Sequence, residues 1–150
     1  MAEFNRKAGA MWYGDSRSGH GTISTESRAL FEQPYSYQTR FQEQPGTNPE
    51  ELLAAAHAAC LSMALAGVLK KNGIDPREIE TSATCTITST TEGFKITGMH
   101  LHVRGEVPGI DELAFRKLVA EADRVCPVSN LLGEGLEIEI EVDLAQAVPH

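Results

Sequence analysis

The stretch 52-LLAAAHAACLSMALAGVL-69 decides the fold of this chain: eighteen residues carry no charge, seven are alanine, and the only polar groups are His57, Ser62 and the thiol of Cys60. Its length meets the requirement for a membrane span. Alanine contributes little to insertion, however, and a helix apolar on all sides can equally lie at the centre of a soluble assembly. The rest of the sequence favours the second setting. With 41% apolar and 23% charged residues, the composition is that of a globular protein rather than a disordered one. The 150 residues are expected to form a single domain, 1–150, long enough to bury a core without staples. A net charge of −8 tells against nucleic-acid and anionic-membrane partners, whose phosphates demand a basic face.

Outward from the apolar stretch, 47-TNPEELL-53 reads as a dense helix start. Asn48 is the expected cap, Pro49 suits the first helical position, and Glu51 is expected to close a capping box. Glu50 and Glu51 face the positive end of the helix dipole. The helix is expected to run to Asn72-Gly73, with Lys70 and Lys71 in its last turn. Upstream, 7-KAGAMWY-13, 21-GTIST-25 and 35-YSYQTRF-41 read as three strands punctuated by Gly and Pro. Downstream, 78-EIETSATCTITSTT-91 and 94-FKITGMHLHVRGEV-107 form a long hairpin turning at Glu92-Gly93. The segment 111-DELAFRKLVAEADRV-125 reads as an amphipathic helix with Leu113, Leu118, Val119 and Val125 as its apolar residues. A further helical turn is expected at 128-VSNLL-132, and 136-LEIEIEVDL-144 alternates as a half-exposed last strand. The order βββ-α-ββ-α-β predicts an α+β fold with mostly antiparallel sheet.

The cysteines are Cys60, Cys85 and Cys126. An odd, sparse set with no CxxC and no paired Cys/His spacing is neither a disulfide framework nor a structural metal site. The N-terminal MAEFNRKAGAMW has no apolar signal core, so a cytoplasmic protein is expected. On position alone Cys60 reads as an inert core residue, since it lies deep inside its helix and far from the N-terminal dipole. His57, three residues earlier, reads as structural filling, and Cys85 as a packed strand residue. Cys126 lies where a helix ends or restarts at Pro127. Two thiols 66 residues apart on separate helices can meet in space, although spacing does not establish it.

The segment 46-GTNPEELLAAAHAACLSMALA-66, followed by 125-VCPVSNLL-132, closely resembles the OsmC (osmotically inducible protein C) family, sister to the organic hydroperoxide resistance (Ohr) proteins. The likeness extends to 20-HGTISTES-27, 33-QPYSYQTRF-41 and 107-VPGID-111. The resemblance implies an OsmC-like fold, with mostly antiparallel sheets wrapped around a long central helix in an intertwined homodimer. It also implies a thiol-dependent peroxidase, without cofactor, that reduces organic hydroperoxides and, more weakly, hydrogen peroxide. Cys60 would be the peroxidatic cysteine, which attacks the peroxide and becomes a sulfenic acid. Cys126 would be the resolving cysteine, which condenses with it to a disulfide. A dithiol, of lipoyl type in related proteins, would reopen the bridge by exchange.

A thiol among alanines and leucines has its pKa raised by desolvation, so attack requires a cation. The family uses an Arg–Glu pair. Glu50 matches its Glu, and Arg40 of 38-QTRF-41 is the favoured Arg, with Arg17 and Arg28 as alternatives. Phe41, Leu61 and Met63 are candidate walls for an apolar substrate. On one straight helix Glu50 and Cys60 are separated by about 15 Å of rise. Two such helices packed antiparallel near Ala55 would bring Glu50 of one chain beside Cys60 of the other, which predicts a homodimer. Two other classes stay open. One is a noncatalytic protein binding a hydrophobic small molecule in the same cleft, which needs neither thiol. The other is a cysteine hydrolase with His57 as base, which lacks an identifiable orienting group and oxyanion site.

Overall fold

The computed structural model of the chain describes residues 1–134 and 137–145. It divides into two compact units, Met1–Leu52 and Leu53–His150. In the first, β1 (Ala8–Tyr13), β2 (His20–Thr25) and β3 (Gln33–Tyr35) form a three-stranded antiparallel sheet in chain order. A short helix, α1 (Tyr37–Phe41), follows.

That helix corrects the third expected strand, of which only Tyr35 lies in β3. Ser36 takes an extended backbone, its Oγ accepts from the Thr39 N–H, and its own N–H donates to Thr39 Oγ1, a reciprocal capping box. Capping of this kind outweighs the weak strand preference of Tyr37, Thr39 and Phe41.

The helix α2 (Pro49–Lys71) starts in the first unit and continues through the second. Asn48 Oδ1 accepts from the Glu51 N–H at 2.8 Å, as the cap predicts. The Glu51 carboxylate, expected to close the box, instead takes the Thr47 hydroxyl at 2.9 Å. Gly73 ends the helix at φ +74, a left-handed value that glycine adopts without strain. By length and composition α2 could cross a membrane. Yet Leu61, Leu65 and Leu69, one turn apart, are fully buried in the core of the second unit.

That core is closed by β4 (Glu78–Thr90), β5 (Gly93–Glu106), α3 (Glu112–Val125), α4 (Pro127–Gly133) and β6 (Glu137–Ala145). Met99, Leu101 and Val103 supply the inward face of β5, and Phe115, Val119 and Ala122 that of α3. The apolar stripe of α3 thus runs out of phase with the expected one: Val119 and Leu118 pack inward, whereas Leu113 and Val125 are exposed. Gly105 marks a close approach, because a Cβ there would lie 2.5 Å from the Phe115 ring. The sheet has order β4-β5-β6; β4 and β5 are antiparallel, whereas β6 runs parallel to β5. A tight hairpin forces the first pairing, and the α3–α4 crossover permits the second. Ile138, Ile140, Val142 and Leu144 alternate inward along β6, while Leu136, in the expected strand, lies outside the described residues.

Candidate functional site

The candidate residues gather in two clusters, one in each unit. In the first, the Arg40 guanidinium meets the Glu50 carboxylate: Nε donates to Oε1 and Oε2 at 3.0 and 3.1 Å, and an η nitrogen donates to Oε1 at 2.6 Å. Charge-assisted bonds of this geometry are among the strongest that side chains form. The Ser36 capping box sets the direction of α1, and hence of Arg40. A clasp completes the arrangement, since Asn48 caps α2 with its oxygen while its Nδ2 donates to the Thr39 carbonyl at 3.0 Å. One side chain therefore fixes the helix carrying Glu50 against the helix carrying Arg40. Glu50 is buried, and its position in the first turn of α2 adds the helix dipole to the attraction.

Aromatic rings flank the pair. The Arg40 guanidinium lies 5.0 Å from the Phe41 ring centroid, Phe41 packs on Tyr37 at 4.9 Å, and Arg17 covers Tyr37 at 5.1 Å. Arg28, the other alternative cation, covers Phe31 at 4.1 Å. Of the three arginines considered, Arg40 is the one bonded to Glu50.

In the second unit Cys60 of α2 and Cys126, at the elbow between α3 and α4, are neighbouring thiols, both in the free form. Asp123 and Ser129 flank the elbow one turn on either side. Burial pushes the Cys60 thiol above its ordinary value; the Val128 N–H, bonded to the sulfur, opposes this, and the neighbouring Cys126 adds to the rise. One turn back along α2, His57 Nε2 and Ser129 Oγ are 2.8 Å apart, with His57 fully buried. Val128 and Ser129 were not singled out from the sequence. The shared spacing of His57-x-x-Cys60 and Cys126-x-x-Ser129 is a signal that could have found Ser129, and Val128 left none.

Leu61 is fully buried, whereas Met63 is 80% exposed on α2. Ala55, Ala59, Met63 and Gly67, spaced by four, form an exposed apolar stripe along the same helix. Cys85 is half-buried against the core from β4. Among the described residues, no three His, Cys, Asp or Glu side chains are grouped to hold a metal ion.

Residues 41–141 match the family model described as OsmC-like protein. Peroxiredoxin OsmC of Escherichia coli (strain K12) is 43% identical over 138 residues, which is 92% of this chain and 96% of that protein. Among solved structures, the organic hydroperoxide resistance protein OhrB of Bacillus subtilis aligns with a TM-score of 0.73 and 28% identity, covering 93% of this chain and 98% of that one. An organic hydroperoxide resistance protein from Elizabethkingia anophelis aligns with a TM-score of 0.74 and 27% identity, covering 97% and 100%.

Proposed function

This chain belongs to the OsmC family, and from that premise we propose that it is a thiol-dependent peroxidase that reduces organic hydroperoxides to alcohols in defence against oxidative or osmotic stress. The observation that carries the reading is the contact between the Cys60 and Cys126 thiols, in a chain 43% identical to a peroxiredoxin. Cys60 as thiolate attacks the distal peroxide oxygen, the O–O bond breaks, and the alcohol leaves. The resulting sulfenic acid is resolved by Cys126, water departs, and the disulfide protects Cys60 from irreversible oxidation. A dithiol of lipoyl type then reduces the bridge by exchange.

Within one chain the Cys60 thiol stands above its ordinary value, so the cation is a requirement of the chemistry. We assign that role to Arg40, oriented by Glu50. The proposed homodimer packs α2 against its copy in antiparallel fashion, and each chain lends its Arg40–Glu50 pair to the partner's Cys60. The exposed stripe of Ala55, Ala59, Met63 and Gly67 supports this packing, because small side chains let helices approach closely. Phe41 and Met63 would wall an alkyl hydroperoxide, with Leu61 backing them from the core. Hydrogen peroxide, which gains little from such a wall, would be a weaker substrate. The family match runs through both units, which supports one functional domain, and we take the compartment to be the cytoplasm.

The hydrolase alternative lacks its base, since His57 Nε2 is engaged by Ser129 and Nδ1 has no hydrogen-bond partner. Thiol counting after adding cumene or tert-butyl hydroperoxide to the reduced protein tests the reading. Two thiols per chain should disappear into a Cys60–Cys126 disulfide. Cys60→Ser should abolish turnover, and Cys126→Ser should complete one turnover and then over-oxidise. A Cys126→Ser protein that cycles normally with a dithiol would exclude the resolving role.

A further inference from the structure

His57 is fully buried, yet it is polar and has one ring nitrogen without a hydrogen-bond partner. Burying a polar group with a hydrogen-bonding position unmet is costly, so its presence in the core calls for an explanation. Its place in the chain suggests what. It stands one turn before Cys60 on α2 and bonds Ser129, one turn after Cys126, at 2.8 Å.

We propose that His57 is the positioning residue for the resolving step: by holding Ser129 it keeps the α3–α4 elbow, and with it the Cys126 thiol, seated on Cys60. The inference deepens the peroxidase reading and rests on it. Three further observations support it. Packing alone leaves the elbow without a local device of its own: Cys126 has an extended backbone at φ −69, ψ 116, and α4 has no side-chain cap hydrogen bond on its first turn. The Asp123 carboxylate, one turn before Cys126, also acts on His57, opposing the fall that burial imposes on its pKa. His57 is thus bracketed by the residues three before and three after the resolving cysteine. Finally, a hydroxyl suits either tautomer of a buried imidazole, since Ser129 Oγ can donate to Nε2 or accept from it.

The consequence is kinetic. In resolution the Cys126 sulfur attacks the sulfenic sulfur, the S–S bond forms and the S–O bond breaks; the departing hydroxide and the Cys126 proton leave as water. A second peroxide competes by oxidising the sulfenic acid further. An elbow that drifts slows the first route without slowing the second. The sensitive readout is therefore the cumene hydroperoxide concentration at which half of Cys60 becomes sulfinic or sulfonic acid, measured by intact mass on the full-length protein cycling with a dithiol.

In Ser129→Ala and His57→Leu that concentration should fall by about tenfold, the scale of one lost hydrogen bond. His57→Gln, which retains a donor and acceptor at similar reach, should recover most of it. Ser129→Ala removes the same bond with little loss of volume, so the test stands if His57→Leu fails to fold. A folded Ser129→Ala protein with wild-type resistance to over-oxidation would overturn the inference, as would a His57→Gln protein as sensitive as His57→Leu. If the wild type itself lost no thiols to peroxide, the peroxidase reading would fall and this inference with it.

Discussion

Arg40 and Glu50, in the first unit, meet through three charge-assisted hydrogen bonds, whereas Cys60 and Cys126, in the second, meet as thiols beside an apolar core. The first pair is held by local devices: the Ser36–Thr39 capping box, the Asn48 clasp and the dipole of α2. The second is held by tertiary packing, with Leu61 and Leu65 seating one helix and Phe115, Val119 and Ala122 seating the other. Each lacks what the other has. A guanidinium and carboxylate form no nucleophile, and a desolvated thiol is a poor one until a positive charge approaches. The proposed peroxidase chemistry needs both, and one helix, α2, contributes to each through Glu50 and Cys60.

The largest predicted effect follows from that division. Replacing Arg40 by Met should lower the second-order rate with cumene hydroperoxide by about 10²–10³-fold, the range seen when one preorganised electrostatic donor is removed. Alkylation of Cys60 in that variant should then show an inflection above the ordinary thiol value of 9.0. Glu50→Gln, which leaves Arg40 in place but unoriented, should cost about tenfold. Mixed dimers decide whether the pair acts on its own chain or on the partner. An Arg40→Met chain refolded with a Cys60→Ser chain contains one intact site only if Arg40 acts across the dimer. Refolding the two inactive variants in equal amounts should then restore about a quarter of the wild-type rate, since half the dimers are mixed and each has one of two sites. No recovery would place both clusters in one chain and remove the dimer from the mechanism.

The two clusters were also unequally legible. The cap of α2 could be read because Asn48, Pro49 and Gly73 act within a few residues of themselves. The β4–β5 hairpin was legible for the same local reason. The helix at Tyr37–Phe41 was not, because β-suited side chains mask a capping box built from two hydroxyls. Nor was the phase of α3, where Leu113 and Val125 are apolar yet exposed, and Gly105, on a strand earlier in the chain, receives Phe115. The parallel pairing of β6 depends on where a crossover ends, which alternation cannot encode. At the site, the roles of Cys60, Cys126, Arg40 and Glu50 were suggested by family resemblance. The His57–Ser129 bond spans 72 residues and left only its i, i+3 spacing behind.

A smaller effect tests the claim that packing holds the thiol cluster. Gly105→Ala places a methyl group 2.5 Å from the Phe115 ring. Overpacking of this kind costs about 1–3 kcal/mol. Chemical denaturation should show that loss. Because Phe115 and Cys126 belong to the same core, disulfide formation after peroxide should slow as well. The Arg40–Glu50 cluster is held by contacts inside the first unit, so hydrogen exchange in α1 should stay unchanged. Equal loosening of α1 would mean that its local devices are not what hold it.

The smallest effect separates the units by acid. His57 has its pKa lowered from 6.5, chiefly by burial and against the pull of Asp123. A group depressed on folding stabilises the protein above its unfolded value, and that contribution is lost as pH falls from about 6.5 through the folded value. Asp15, in the loop after β1, is lowered from 3.8 to about 2 by the Ser18 hydroxyl and by the Ser18 and Arg17 N–H groups. Its contribution is complete above 3.8 and disappears only as pH drops through about 2. Asp15 is fully exposed, so its share is slight. Hydrogen exchange between pH 7 and 4.5 should therefore show α3 and α4 loosening while the loop around Asp15 keeps its protection. His57→Leu should weaken that pH dependence, because the buried titrating group is then gone. Loosening of the Asp15 loop first would mean that the second unit's packing, rather than the first unit's surface bonds, is the acid-resistant part of the molecule.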